Sequence, residues 1–146
     1  MPHYALLSIP AMWVVSLYPH MHAVNLIKSA NNNRWDNTNS RGSAWSATLK
    51  QSVPADVLAR FERAEAAHRN GLENLPLFGL AVLSAEWAAV PESTVAATAW
   101  AYIALRIVYN AMYINVTEMK KSFVRSGVWV LSSAVGLSLF VRAALQ

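Results

Sequence analysis

The chain has 146 residues, 55% hydrophobic and only 14% charged, so it is richer in apolar residues than an ordinary soluble domain and of a length for one domain, residues 1–146. It contains no cysteine, which excludes disulfides and zinc-thiolate sites and leaves any thiol chemistry to a thiol brought by a ligand. Its formal charge of +4 is spread among apolar segments instead of forming a basic stripe with interleaved aromatics, which argues against nucleic acid and for the basic loops of a membrane protein.

Residues 1–27 hold no Asp, Glu, Lys or Arg, and a first span over 4–27 is long enough for a hydrocarbon core that needs about 20 residues. A cleaved signal peptide fits less well, because no basic region precedes the apolar run and no small-residue cleavage site follows it. Pro10 and Pro19 fall inside this span, and membrane helices accept proline where neighbours satisfy the freed carbonyls. The next stretch, "KSANNNRWDNTNSRGSAWSATLKQS", is polar and rich in Asn and Ser, and reads as loop. A second helix is expected over 56–89, starting near Pro54 with Asp56 favouring the positive end of the helix dipole. A third span over 93–117 is interrupted only by Arg106, and a fourth over 123–145 carries Arg125 near its start and Arg142 near its end. The expected fold is therefore all-α, an integral membrane four-helix bundle.

Lys and Arg in the short loops set orientation. Loop one holds Lys28, Arg34, Arg41 and Lys50, loop three holds Lys120 and Lys121, and the loop around "WAAVPEST" has neither residue type. Loops one and three are thus expected in the cytosol.

The second helix poses the main question, since "RFERAEAAHRNGLENLPLF" carries charges into an apolar segment. At 3.6 residues per turn Glu62, Arg69 and Glu73 share a face, and Glu65 with Arg69 and Arg69 with Glu73 are i,i+4 pairs. On the third helix Arg106, Tyr109, Asn110 and Tyr113 recur at i, i+3, i+4 and i+7. Arg125 and Ser126 open the fourth helix, with Trp129 a turn further in. All lie toward the cytosolic ends of their spans, and ionisable groups at membrane depth usually mark a polar interior or a functional pathway. The blander alternative is mutual neutralisation on the second helix, with Arg125 snorkelling to headgroups. Spacing alone thus points to a cationic, cytosol-facing pocket for an anionic polar ligand. His20 and His22 fall on different faces, poor geometry for a shared metal. His68 projects about 100° away from Arg69 and is expected to be structural or interfacial. No metal site and no Ser-His-Asp arrangement is expected. A channel or transporter is disfavoured, since paired Gly or Pro breaks are missing.

The segments "ERAEAAHRNGLENLPLF", "LRIVYNAMY" and "VRSGVW" resemble the MAPEG family, the membrane-associated proteins in eicosanoid and glutathione metabolism, and look most like its fungal members. The resemblance implies a homotrimer in the endoplasmic reticulum or a related membrane, with glutathione as co-substrate bound between subunits and a lipophilic small molecule as second substrate. It puts Arg69, Asn70, Glu73, Tyr109, Tyr113 and Trp129 on ligand-side positions, Arg125 on the thiol-activating arginine and Ser126 beside it. One further arginine of the family's second-helix pattern is replaced by Ala66, and a contact from after the first helix falls on Lys28 or Arg34. The activity implied is a glutathione-dependent transferase or peroxidase. The alternative within the family is a non-catalytic lipid-binding or partner-scaffold protein.

Overall fold

The computed structural model describes residues 3–146, and all the regular structure among them is helical. Five helices follow in order: α1 (Tyr4–Ala30), α2 (Ser43–Ser52), α3 (Ala55–Trp87), α4 (Glu92–Asn115) and α5 (Met119–Ala144). α3 and α4 occupy the middle of the bundle, with α1 packed on both from one side and α5 on both from the other, while α2 lies against α3. α4 and α5 are long and apolar enough to cross a membrane. α1 and α3 have the length, at 27 and 33 residues, but α1 is diluted by proline, serine and histidine and α3 by charged residues.

The loop expected between the first two spans is partly helical. α2 places Trp45 and Leu49 at i and i+4, Val53 follows as the extended residue that ends the helix, and Leu49 and Val53 are buried against Ile27 with Trp35, Trp45 and Phe61 around them. Serine, threonine and lysine around these positions mask the apolar stripe in a composition reading. Upstream, the Asp36 carboxylate accepts hydrogen bonds from the backbone N–H and hydroxyl of Thr38. Those bonds hold its pKa below the usual value. α5 also begins at Met119, a turn earlier than expected, because Glu118 supplies an extended residue before the helix and pairs with Lys121 at 2.7 Å.

The helices pack with small residues inside. Ala5, Ser8, Ser16 and Ala23 of α1, with Ala64, Ala67, Ala81 and Ala85 of α3, are fully or almost fully buried, the composition that lets membrane helices approach closely. The tightest point is Gly71, where an added Cβ would lie 2.8 Å from the Cβ and Oγ of Ser16. Phe78 stacks on Tyr102 with ring centroids 4.4 Å apart, and Gly136 of α5 lies close against the same ring, where an added Cβ would sit 3.2 Å from two of its carbons. The outside is correspondingly greasy: Leu7, Trp13, Val14, Tyr18, Leu80, Val130, Leu131 and Val141 are all exposed. Buried polar groups and an apolar exterior reverse the distribution of a soluble domain.

Pro19 falls inside α1 and cannot donate to the carbonyl of Val15 four residues earlier. Asn110 of α4 donates its amide to that carbonyl at 3.0 Å. His68 of α3 donates from Nδ1 to the adjacent carbonyl of Ser16 at 2.7 Å. The proline's vacated acceptor is thus satisfied from a neighbouring helix, as expected for a polar backbone group in an apolar setting.

At the other end, α3 turns into α4 through Ala89, whose φ is +57°. Val90 donates to Ala85 and Ala89 to Glu86, the paired bonds of a Schellman ending with alanine where glycine is usual.

Replacing Gly71 with valine would force α1 and α3 apart at Ser16. The expected cost is about 1–3 kcal/mol, read as a lowered thermal midpoint in detergent with helical content retained before the transition.

Candidate functional site

α4 contributes the centre of the site. Arg106 is only 1% exposed, and its Nη2 donates to Oδ1 of Asn70 on α3 at 2.7 Å. Its guanidinium also lies 4.5 Å from the ring centroid of Tyr109. One turn on, Tyr109 meets Tyr113 edge to face at 5.5 Å. The guanidinium of Arg125 then sits 4.2 Å over the Tyr113 ring. A continuous chain therefore runs Asn70, Arg106, Tyr109, Tyr113, Arg125 across α3, α4 and α5. Stacking on an electron-rich ring suits a planar guanidinium, and neither arginine can relieve the cost of burial by losing its proton.

The expected residues fall into three placements. Asn70, Tyr109, Tyr113 and Arg125 join that chain of contacts. Glu73 is exposed on α3 one turn beyond Arg69. Trp129 is 37% exposed on α5, one turn after Arg125. Ser126 is exposed, and its hydroxyl donates to the carbonyl of Ser122 at 3.2 Å.

Arg69 faces elsewhere. It lines a cavity of about 250 Å³ between α2 and α3, together with Arg41, Lys50, Glu62 and Glu65. The expected pairing of Arg69 with Glu65 or Glu73 does not form: among the described residues the only Lys or Arg within 4.0 Å of a carboxylate is Lys121. Glu65 instead meets Nδ1 of His20 at 2.6 Å, a partner from α1 that no single-helix spacing identifies. His20 also packs on the ring of His68 at 5.1 Å. The helix-spacing argument had also grouped Asn110 with the tyrosine face, whereas it reaches back to α1 at Val15.

Sequence reasoning missed two contributions. Arg41 and Lys50 reach the α2–α3 cavity only because α2 folds back on α3, and the signal for it was the Trp45, Leu49, Val53 spacing. Arg106 was seen as part of a polar face, but its burial and its bond to Asn70 depend on how α3 and α4 are packed. Lys28 and Arg34 do not line the cavity. No group of histidines and carboxylates suited to a metal occurs among the described residues.

The arrangement gives a row of aromatic rings with a guanidinium at each end, and separately a cavity between α2 and α3 lined by three cations and two carboxylates. Such an array can hold carboxylates and stabilise a developing anion in a partly desolvated space.

The sequence from residue 4 to residue 145 matches the MAPEG family. The chain belongs to that family, and with it to a class of α-helical membrane bundles that serve glutathione-related functions. No curated protein and no solved structure gives a significant match.

If Asn70 is the principal hydrogen-bond partner of the buried Arg106, Asn70→Leu lowers stability by about 1.5–3 kcal/mol, the usual range for a bond to a charged group. The double variant with Arg106→Leu recovers part of that loss. A denaturation cycle over the wild type, both single variants and the double variant measures the coupling.

Proposed function

We propose that this chain is a membrane-bound, glutathione-dependent transferase or peroxidase that activates the thiol of glutathione toward lipophilic electrophiles or lipid hydroperoxides. In this reading it is a four-span homotrimer of an intracellular membrane such as the endoplasmic reticulum, with loops one and three in the cytosol, like the fungal members its sequence resembles. The observation that carries the proposal is the placement of Arg125 on Tyr113, at the end of a row reaching Asn70, in a chain of the MAPEG family.

The residues suit the ligand chemically. Glutathione supplies the thiol that a cysteine-free chain lacks. It also carries two carboxylates and one amine, for which Arg69 and Glu73 offer opposite charges on one stripe of α3. Arg125 provides a cation whose proximity favours the thiolate, lowering a thiol pKa by about 1–3 units. Ser126 can turn its hydroxyl from Ser122 to donate to the sulfur. Asn70 is held by Arg106, which fixes the α3 face relative to the tyrosines. Tyr109 and Tyr113 supply paired aromatic rings, Trp129 lies one turn beyond Arg125 on α5, and in this reading an apolar second substrate reaches them from the bilayer.

Arg69 lines the α2–α3 cavity, whereas Arg125 lies against α4. Assembly as a homotrimer with sites between neighbouring subunits is what joins these two charges in the proposal. It also covers the charges that α3 exposes in a single copy.

The test is glutathione binding to detergent-purified protein, with thiolate formation followed by ultraviolet absorbance. Wild type is expected to bind and to show a thiolate, while Arg125→Ala binds but titrates its thiol about 1–3 pH units higher, nearer the free value of about 8.5. No binding at millimolar glutathione would sink the proposal in favour of the non-catalytic lipid-binding alternative.

A further inference from the structure

Side chains tie α3 to α4 at two levels, and the tyrosine row lies between them. At the first level Arg106 of α4 donates to Asn70 of α3. The second is at Ile114, about 12 Å further along α4 at the helical rise, and there the direction of the bonds reverses. Nε of Arg63 on α3 donates to the backbone carbonyl of Ile114 at 3.1 Å. Nη2 of Arg60 donates to Oδ1 of Asn115 at 3.0 Å, and Asn115 passes the contact on by donating from Nδ2 to the carbonyl of Ala111 at 2.7 Å. Arg60 and Arg63 are spaced i,i+3 and share a face of α3, yet neither takes part in the contacts that build the tyrosine row.

The second level is a helix ending. The last carbonyls of an α-helix have no donor within the helix. In α4 the backbone N–H of Val116 serves the carbonyl of Met112 at 2.8 Å, and Arg63 serves that of Ile114. α4 has no basic residue in its own last turn, so the positive charge that favours the negative end of its dipole comes from α3. The side chain of Ile114 is buried with Ala23 of α1 and Ala64 of α3, which packs the end of α4 onto α3 at the residue next to Arg63.

Tyr113 belongs to this capped last turn, and only residues 116–118 separate α4 from α5. The contact between the Arg125 guanidinium and the Tyr113 ring therefore depends on the end of α4 twice, through the ring and through the short connection into α5. Fraying of that end displaces both. We propose that Arg63, supported by Arg60, is a positioning residue for Arg125. By closing the C-terminal end of α4 it fixes Tyr113 and the start of α5, and with them the cation assigned to the thiol. Arg63 acts through the helix end and is not itself a catalytic residue. The consequence for the thiol rests on the role proposed above for Arg125, whereas the capping does not.

The experiment uses the full chain in detergent and compares wild type with Arg63→Met and Arg63→Lys, since lysine keeps a cationic donor for the Ile114 carbonyl and methionine does not. Without glutathione, hydrogen–deuterium exchange is followed by mass spectrometry. Arg63→Met is expected to speed exchange at least tenfold in peptides covering residues 111–125 while α1 keeps its wild-type rates, and Arg63→Lys to restore most of the protection. Arg60→Gln is expected to raise exchange in the same peptides by a smaller factor. Unchanged exchange at residues 111–125 in Arg63→Met, or a rise spread evenly over all the helices, overturns the capping and the proposal with it. With glutathione bound, the thiolate midpoint of Arg63→Met is expected about 1 pH unit above that of wild type, with Arg63→Lys close to wild type. A wild-type midpoint in an Arg63→Met protein whose helix end exchanges faster overturns the positioning role alone. Absence of a thiolate from wild type itself overturns the proposed function and the positioning role together, and the exchange data still decide the capping.

Discussion

The bundle depends on a break in α1. Pro19 leaves the carbonyl of Val15 without its helical donor, and in an apolar surrounding that acceptor has to be satisfied by another helix. Asn110 supplies the bond from α4, and His68 donates from α3 to the next carbonyl. These two contacts fix where α1 lies along both central helices. They also place Ser16 against Gly71, whose missing side chain permits the close approach. Once α1 is set at this height, His20 reaches Glu65 and the ring of His68. Glu65 is thereby tied to α1, and Arg69, one turn away, keeps no carboxylate within ion-pair distance.

The charged residues that appear anomalous in "RFERAEAAHRNGLENLPLF" therefore separate into two groups. His68 and Glu65 are structural, consumed by contacts with α1. Asn70 is consumed on the opposite side by Arg106, which brings α4's tyrosines into line with Arg125 on α5. Arg69 and Glu73 remain exposed in one copy of the chain. In the proposed four-span reading, a guanidinium and a carboxylate left free on α3 would be costly unless something covered them. That cost is the physical support for a ligand site or a neighbouring subunit along this stripe.

Much of the fold can be read without coordinates because long apolar runs and their punctuation dominate it. Pro54 and Asp56 mark the start of α3, and the polar gap around Pro91 separates it from α4. α2 was illegible by composition, since serine, threonine and lysine surround its three apolar positions. The site was legible as a set of residue types at one depth but not as contacts. Spacing along one helix suggested that Glu65 pairs with Arg69, and tertiary structure gave Glu65 to His20 instead. Asn110 shows the same limit: it lies within a turn of Tyr109 and Tyr113, yet the proline break in α1 claims it.

The buried Arg106 has a consequence for how the chain enters a bilayer. A lone helix bearing arginine at its centre is inserted at a cost of about 2.5–3.5 kcal/mol, and α4 is less apolar than α5, the other helix able to span. The tight turn at Ala89 holds α3 beside α4 with few residues between them. Inserted together as a helical hairpin, the two carry their own acceptor for the charge, because Asn70 arrives with Arg106. The contact that organises the site is then also one that eases membrane integration of its central helix during synthesis.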